Sequence, residues 1–422
     1  MGTKKKFCKY NKTICLVAHL YPINETDYKG GFVRDLAVAL CHKGCNVHIV
    51  TPMRFNALKE EKISGNLHIH RFTYMGAGKG IQLGQLKGTP LLLLGTLVLS
   101  GIIKCIGVVI KYRADIIHAY WVVPGGLIAM AAGLMTNRPV IATAAGSDLN
   151  IASRNKIYKI LIRLTLKGID KLIAVSGAMK NLSLSMGLCE QKVVVFPGPV
   201  GIDIDLYKNS NPSFMPDNFL NDNTRKNRQI LYVGNLTYPK RVDTILRAMK
   251  IVAENINDVH LIIAGDGNQR TELADLAEDL GIKDKVIFKG AVPHDKIAEY
   301  MHHAYAFVHC SENEGLPVAI MEAMASGLPV IGSQVGGIPE LISDNETGYI
   351  LHYDDYRSYA DKIIVLLKNN TLRNQMGKKG RKFAIQNFNK KDIIIKNIEV
   401  YKSVMTEKTE YKKQNSKVVS FL

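Results

Sequence analysis

The sequence lacks most features of an exported, metal-binding or dinucleotide-binding protein. It has seven cysteines and no Cys-x-x-Cys pair. The group Cys41, His42 and Cys45 has no second pair at ligand spacing, so we do not expect a zinc site. The Lys-rich N-terminus is followed by ICLVAHLYP, which is too short and too polar for a signal peptide. We therefore expect a cytoplasmic protein with reduced thiols.

Acidic residues are also in short supply. The chain has 37 Asp and Glu against 55 Lys and Arg, which gives a formal net charge of +18. Such an excess indicates attraction to an anionic partner, such as a membrane surface or a phosphorylated ligand. No helix-turn-helix, RNA-binding signature or aromatic platform is present, so nucleic acid is not an expected partner. No Gly-x-Gly-x-x-Gly opens the first predicted helix, which counts against a dehydrogenase.

One long apolar run stands out from an otherwise ordinary composition. Residues 91–110, LLLLGTLVLSGIIKCIGVVI, are about as long as a membrane span and are interrupted only by Lys104. Strand-like segments of similar type flank the run, and a spanning helix would place them on opposite sides of a bilayer. We expect a helix that is buried on a sheet or pressed against a membrane surface, with a spanning helix as the alternative.

The chain alternates short apolar runs with helical patterns, and it does so twice. This alternation is typical of a parallel sheet covered by helices on both faces. We expect an α/β protein with two Rossmann-like, doubly wound domains. The predicted parts are an N-terminal domain at 1–205, an Asn-, Pro- and Asp-rich linker at 206–228, and a second domain at 229–385. Residues 386–422 are expected to form a helix that returns to the first domain and a polar tail.

Doubly wound domains bind ligands beyond the carboxyl ends of their strands, so we expect the active site in a cleft between the two sheets. The segment 311–348, SENEGLPVAIMEAMASGLPVIGSQVGGIPELISDNETG, contains a predicted helix with Pro317 as its first residue. Backbone N–H groups at such a helix start can bind a phosphate. Glu322 is the only charge in this apolar helix and needs hydrogen-bond donors, such as a ribose diol. Alternatively, Glu314 caps the helix and Glu322 binds a structural backbone group.

These motifs resemble those of glycosyltransferase family 4, the retaining enzymes with a two-Rossmann GT-B fold, also described as glycosyl transferases group 1. The shared pattern is Glu314-x7-Glu322, then AMASGLPV, then Gly-Gly-Ile-Pro-Glu at 336–340. The resemblance covers nearly the whole chain. It implies that Glu314 contacts the donor sugar and Glu322 the nucleotide ribose. It also implies that the backbone of Gly315, Leu316, Pro317 and Val318 holds the sugar and the diphosphate.

The same resemblance extends to other loops of the second half. Tyr-Val-Gly-Asn-Leu at 232–236, with Lys240, is similar to the segment in which an Arg and a Lys neutralise the donor diphosphate. Lys240 fits that pattern, whereas Asn235 stands where the Arg is common, and Arg241 is a candidate to compensate for it. Gly265 opens a Gly-Asp-Gly turn, and FKGAVPHDKI resembles the loop on the nucleobase side.

In the first half, the resemblance implies that the loop at Gly30-Gly31 approaches the donor phosphates, and the binding residue is Gly31. A simple turn is the alternative. DIIHAYWVVPGG and TAAGSD resemble acceptor-side loops, which makes His118 and Asp148 catalytic candidates. Relatives often have His or Arg where this chain has Ala145. His118 could instead be a core histidine with its hydrogen bonds satisfied.

We expect no cofactor and no metal ion. Asp203-x-Asp205 has the spacing of a metal motif but lies at the domain junction, and a helix N-terminus together with Lys240 can stabilise the leaving diphosphate. Retention could arise through a covalent carboxylate intermediate. The resemblance instead implies front-face attack, in which Glu314 orients the sugar.

The resulting hypothesis is an enzyme that transfers a sugar from a UDP- or GDP-sugar to a glycan or lipid-linked acceptor. We expect cell-envelope polysaccharide or glycolipid synthesis, with the protein cytoplasmic and peripheral at the inner face of the plasma membrane. Two alternatives stay open: a nucleotide-sugar epimerase of the same fold and a non-catalytic protein that binds membrane surfaces.

Overall fold

The computed structural model describes residues 10–24, 27, 29–76, 90–150, 155–198, 200–208 and 228–419. It divides into two compact units, one formed by 1–200 with 391–422 and the other by 201–390. Most of the predicted linker at 206–228 lies outside the described residues.

The first unit contains an eight-stranded sheet in the order β3-β4-β2-β1-β5-β6-β7-β8. All neighbouring strands are parallel except β3, which pairs antiparallel with β4 at the edge. The sequence analysis did not predict β3, EEKIS, because only one of its five residues is apolar. The strands of this unit are β1 (Thr13–Ala18), β2 (Asn46–Pro52), β3 (Glu60–Ser64), β4 (Leu67–Phe72), β5 (Ile116–Tyr120), β6 (Val140–Ala144), β7 (Lys171–Ala174) and β8 (Val193–Val195).

The central strands of this sheet are buried along nearly their whole length, because helices cover both of its faces. One face packs against α1 and the C-terminal helix α14, and the other against α2 and α3. The helices are α1 (Gly31–His42), α2 (Pro90–Lys111), α3 (Leu127–Thr136), α4 (Ser147–Asn150), α5 (Lys156–Gly168), α6 (Gly177–Ser185) and, after the second unit, α14 (Lys390–Val419).

The C-terminal helix α14 belongs to the first unit from Lys391 onward. Ile393, Ile394 and Tyr401 are buried in the core formed with β1 and α1. The helix continues to Val419, so it includes most of the residues that the sequence analysis expects to form a polar tail. No Gly or Pro interrupts residues 390–419, so nothing in the sequence ends the helix earlier.

The second unit contains a fully parallel six-stranded sheet in the order β11-β10-β9-β12-β13-β14. Its strands are β9 (Arg228–Val233), β10 (Val259–Ala264), β11 (Val286–Gly290), β12 (Ala306–His309), β13 (Val330–Ser333) and β14 (Gly348–Leu351). Its helices are α7 (Val242–Asn255), α8 (Arg270–Asp279), α9 (His294–His303), α10 (Val318–Ala325), α11 (Ile338–Leu341), α12 (Tyr356–Lys368) and α13 (Asn370–Asn387).

Two hydrophobic clusters, one on each side of the sheet, form the core of this unit. Residues 201–208 pack with the second unit, whereas the sequence analysis places 201–205 in the first domain. The reason is a backbone ladder, in which the N–H of Ile202 donates to the Phe388 carbonyl at 2.8 Å and the Ile202 carbonyl accepts from Lys390 N at 2.9 Å. Two doubly wound α/β domains are confirmed.

Candidate active site

Glu314 lies at the centre of a charged cluster at the carboxyl end of the second sheet. It stands in the loop between β12 and α10, and its side chain is largely buried. Its Oε1 accepts hydrogen bonds from Lys240 Nζ and, at 2.8 Å, from His309 Nε2. Lys240 ends the short helical turn Tyr238–Lys240 that follows β9. Because β9 and β12 are adjacent parallel strands, their carboxyl ends bring these side chains together.

The cluster keeps Glu314 ionised. Burial by itself would raise the pKa of Glu314, but the charge of Lys240 and the hydrogen bond from His309 lower that pKa to about 2. Burial lowers the pKa of His309 despite the nearby carboxylate. A neutral His309 must carry its proton on Nε2 to donate to Glu314. Its Nδ1 is buried without a hydrogen-bond partner among the described residues.

The Gly-Gly of the 336–340 motif holds the Glu314 loop in place. Gly336 has φ +54°, and a Cβ there would lie 1.9 Å from the Glu314 carbonyl oxygen. Only glycine permits this approach. The N–H of Gly337 donates to the Gly315 carbonyl at 3.0 Å. The motif therefore fixes the backbone that carries Glu314.

A second close approach joins the loops after β9 and β10. A Cβ on Gly265 would lie 1.8 Å from the Gly234 carbonyl oxygen, so this position requires glycine. The N–H of Leu236 donates to the Asp266 carbonyl at 3.0 Å. Asn235 stands exposed on this paired loop. The Gly-Asp-Gly turn thus supports the loop that leads to Lys240.

Helix α10 begins at Val318, one residue later than predicted. Pro317 is the N-cap, with φ −75° and ψ 115°, and no side chain caps the helix. Proline lacks an N–H and disfavours helical geometry in the residue before it, and here its own ψ is extended. Val318 is exposed and Leu316 is half-buried. The Glu314-as-cap alternative is not observed, because the charge of Glu314 is directed to Lys240 and His309.

Glu322 is buried in α10, and its partners are side chains rather than the structural backbone group of the alternative interpretation. His294 Nε2 lies 2.6 Å from Glu322 Oε1. Burial and the charge and hydrogen bond of Glu322 raise the pKa of the Tyr207 hydroxyl. His294, whose side chain is mostly exposed, was not predicted as a site residue. Its signal was present, since it lies in the FKGAVPHDKI loop.

Arg241 is engaged by carboxylates of its own unit. Its guanidinium pairs with Asp243 at 3.2 Å, Glu312 at 3.0 Å and Asp354 at 2.5 Å. These partners raise the pKa of Arg241 against the effect of burial. The sequence analysis offers Arg241 as a substitute for the Arg missing at Asn235. In the structure Arg241 instead ties together the loops that follow β9, β12 and β14.

In the first unit, His118 lies inside the sheet on β5. It is 1% exposed, and its Nδ1 and Nε2 are hydrogen-bonded to Tyr401 Oη at 2.7 Å and Thr143 Oγ1 at 2.8 Å. Burial lowers its pKa to about 3. His118 therefore has the geometry of the core-histidine alternative.

Asp148 is a buried anchor for two backbone turns. Its oxygens accept from Val122 N at 2.7 Å and Gly146 N at 3.0 Å. Burial raises its pKa against these hydrogen bonds. The preceding residue of the first turn, Trp121, has φ +69°, which a non-glycine residue rarely adopts. Asp148 thus holds the loop after β5 in an unusual shape.

Gly30 and Gly31, at the start of α1, have different roles. Gly30 has φ +79°, and a Cβ there would lie 2.5 Å from the Leu20 carbonyl oxygen, so Gly30 is the turn glycine. Gly31 begins the helix, and among the described residues, its own chain neighbours apart, no atom lies within 4 Å of where its Cβ would stand. The packing of this unit therefore does not require glycine at position 31.

Among the described residues, no three His, Cys, Asp or Glu side chains are grouped so that they could hold a metal ion. Asp203 instead caps a short helical turn by accepting from Asp205 N at 3.2 Å. The six described cysteines are free thiols.

Comparisons with known proteins agree with this architecture. The family model described as Glycosyltransferase Family 4 matches residues 30–204, and the one described as Glycosyl transferases group 1 matches 217–383. The chain is 27% identical over 390 residues to N-acetyl-alpha-D-glucosaminyl L-malate synthase from Bacillus anthracis, covering 88% of this chain and 93% of the relative.

The chain is also similar to a second curated relative and to a solved structure that contains a ligand. Alpha-monoglucosyldiacylglycerol synthase from Streptococcus pneumoniae is 28% identical over 269 residues, covering 61% of this chain and 60% of the relative. The crystal structure of Anabaena HepE in complex with UDP-glucose superposes with a TM-score of 0.70 at 19% identity, over 93% of this chain and 100% of HepE. The two family models and the B. anthracis relative set aside the non-catalytic alternative. The chain belongs to glycosyltransferase family 4 and is a glycosyltransferase with the GT-B fold.

Proposed function

We propose that this enzyme transfers a sugar, with retention of anomeric configuration, from a UDP- or GDP-sugar to a glycan or lipid-linked acceptor in the synthesis of envelope polysaccharide or glycolipid. The observation that carries this proposal is the cluster of Lys240, Glu314 and His309 beside the loop that leads into α10. This cluster places one ammonium group and one carboxylate that is ionised at neutral pH at the carboxyl end of a doubly wound sheet.

Lys240 and the start of α10 are suited to bind the donor diphosphate. Lys240 is partly exposed, and the α10 N-terminus has no side-chain cap. Both present positive charge, and a diphosphate at that place gains charge as the sugar departs. Their contribution would be largest in the transition state, which is the condition for catalysis. On this proposal no metal ion is required.

Glu322 is suited to bind the ribose. Its carboxylate is buried and already paired with His294 at 2.6 Å. The two ribose hydroxyls can replace or join this donor, since a carboxylate accepts several hydrogen bonds. His294, whose side chain is mostly exposed, would then turn away from Glu322 as the nucleotide enters. The complex of Anabaena HepE with UDP-glucose supports a uridine donor as the first to test.

Retention is proposed to occur by front-face attack. The departing diphosphate oxygen accepts the proton of the acceptor hydroxyl, while the bond from the anomeric carbon to that hydroxyl forms on the same face. Glu314, with its pKa at about 2, remains anionic throughout and stabilises the positive charge that develops on the sugar ring. The low pKa makes Glu314 unsuitable as a general acid or base near neutral pH.

The acceptor has two candidates. The S. pneumoniae relative is named for a glycolipid, which supports a lipid-linked acceptor handled at the inner face of the plasma membrane. The B. anthracis relative, which matches over most of its length, is named for an L-malate product. A small hydroxy acid is therefore the second candidate and belongs in the same assay.

The test is binding and turnover of UDP-, GDP-, ADP- and dTDP-sugars, with and without EDTA, for the wild type, Lys240→Ala and Glu322→Ala. The exposed Glu272→Ala on α8 is the matched control. We expect one nucleotide class to bind equally with EDTA, Glu322→Ala to lose this binding, Lys240→Ala to lose turnover, and the control to keep both. NMR of the product gives the anomeric configuration. Isomerised donor without transfer to any acceptor would favour the epimerase, and an inverted product would overturn the retaining mechanism.

A further inference from the structure

Three helices of the first unit form one continuous layer on one side of its sheet. α2 packs against α3, and α3 packs against α5. Small residues set these contacts. A Cβ on Gly101 of α2 would lie 2.5 Å from Ile128 Cδ1 of α3, and one on Gly168 of α5 would lie 2.3 Å from Met130 Sδ of α3. The helices therefore lie close together and share an outer surface.

That outer surface is apolar. Nine large apolar side chains on it are between 44% and 73% exposed. We call them the apolar face: Leu92, Leu99, Ile103 and Ile110 of α2, Leu134 and Met135 of α3, and Ile157, Ile160 and Leu164 of α5. A soluble protein rarely exposes so many large apolar side chains on adjacent helices unless they contact a partner or a membrane.

Helix α2 is apolar on two opposite sides. Leu94, Leu97, Cys105 and Val108 face the protein and are buried. The exposed residues Leu92, Leu99, Ile103 and Ile110 recur at intervals of seven, four and seven, which places them on one line along the opposite side of a helix. An ordinary surface helix is polar on that side. Packing against the protein interior therefore explains the buried apolar side of α2 but not the exposed one.

The charged residues of the three helices that carry the apolar face all have the same sign. Residues 90–113, 126–138 and 155–168 contain eight Lys or Arg and no Asp or Glu. Lys156, Lys159, Arg163 and Lys167 are exposed on α5 between the apolar residues of the same helix. The helices on the other face differ, since α14 alone carries Asp392, Glu399, Glu407 and Glu410. An apolar surface on helices whose charged residues are all basic complements the headgroups of anionic lipids.

A membrane span is a poorer explanation of α2. The segment Leu92–Lys111 is long and apolar enough to cross a bilayer, with a mean hydropathy of 2.3, and 33% of it is buried in the protein. However, Lys104 in the middle of the helix pairs with Glu60 of β3, and Cys105 Sγ lies 3.9 Å from Cys15 Sγ of β1. A span would have to leave both contacts. A second copy of the chain is also a poorer occupant, because a two-fold interface would place like charges opposite each other.

We propose that the apolar face docks in the plane of an anionic lipid bilayer, with the outer sides of α2 and α5 in the headgroup region and the basic side chains on anionic lipids. The contact does not depend on sugar transfer, and it deepens the proposed function by naming the surface through which a lipid-linked acceptor would be approached. In-plane helices of this kind bury their apolar side chains roughly 5–10 Å into the interface.

The experiment is co-sedimentation of the full chain with vesicles, without donor or acceptor. Vesicles of phosphatidylglycerol and phosphatidylcholine are compared with phosphatidylcholine alone, at low and high salt. We expect binding to the anionic vesicles that weakens at high salt. Leu99→Gln with Ile103→Gln is expected to lower the partition coefficient at least tenfold, and Lys156→Gln with Lys159→Gln to lower it by about 25-fold at low salt, since each charge contributes roughly a fivefold factor.

The matched control is Val365→Gln with Ile385→Gln, two partly exposed apolar side chains on α12 and α13 of the second unit. It is expected to bind vesicles like the wild type. Circular dichroism and nucleotide-sugar binding of every variant separate loss of docking from loss of folding or of the proposed donor site. Equal binding by all folded variants, or no binding by the wild type, overturns the proposal. A dimer in size-exclusion chromatography that Leu99→Gln with Ile103→Gln dissociates would assign the face to a second copy instead.

Discussion

The two units use the polar residues of their strands and of the loops after them in different ways. In the first unit, His118 and Asp148 are buried and hydrogen-bonded within the protein. His118 contacts Tyr401 and Thr143, and Asp148 accepts from backbone amides. In the second unit, Glu314 and Lys240 form a charged pair whose lysine is partly exposed. The polar residues of the first unit thus hold its loops and strands in shape. Those of the second unit instead keep a positive and a negative charge at a partly exposed place. This comparison predicts that loss of Lys240 impairs turnover more than stability, and that loss of His118 or Asp148 impairs stability more than turnover.

Lys240→Ala is expected to have the largest effect. It removes the ammonium group proposed to stabilise the leaving diphosphate, and we expect turnover to fall by about 10²–10³-fold. His118→Gln is the matched variant of the first unit and is expected to keep turnover within about threefold once it is folded. Steady-state kinetics on folded protein measure both. Equal losses in the two variants would contradict the comparison.

Glu314→Gln is expected to reduce stability in a pH-dependent manner. The folded pKa of Glu314, about 2, lies below its ordinary value of 4.5. Its ionised form therefore contributes stability above pH ~4.5 that is lost as pH falls toward about 2. The wild type is expected to exceed Glu314→Gln by about 3 kcal/mol near pH ~6, and this difference is expected to shrink by about 1 kcal/mol near pH ~4. Urea unfolding at the two pH values measures it, and a pH-independent difference would show that the charge is not the cause.

Asp148→Ala is expected to cost about 2 kcal/mol in the free energy of unfolding. It leaves the amides of Val122 and Gly146 without their buried acceptor and releases the turn at Trp121. Urea titration gives the value, and kinetics on the folded fraction are expected to show nearly unchanged KM for the donor. A large rise in KM with unchanged stability would return Asp148 to a ligand-binding role.

His294→Ala is expected to have the smallest effect. Its side chain is mostly exposed, and Glu322 keeps Tyr207 as a second partner. We expect donor KM to change by less than about fivefold with no measurable change in Tm. Glu322→Ala, in contrast, is expected to abolish measurable donor binding. Matched losses in both variants would mean that His294 itself binds the nucleotide.

The sequence was sufficient for the fold and for the family, because the alternation of apolar strands and helices and the pattern from Glu314 to Glu340 are local features. It was insufficient where a side chain's role depends on what packs beside it. The three carboxylates around Arg241 come from residues 243, 312 and 354, and no spacing rule relates them. The partner of Glu322, His294, comes from an adjacent loop. The edge strand β3 was missed because an exposed edge does not need an apolar pattern.

The return of α14 to the first unit sets the order in which the chain can become native during biosynthesis. Tyr401 fills the core of the first unit and hydrogen-bonds His118, which lies 283 residues earlier. A nascent chain that has left the ribosome only as far as residue 390 therefore carries a complete second unit and an unfinished first one. A chain that ends before Ile393 would expose the core around β1 and α1, and quality-control proteases would meet that defect in the first unit alone.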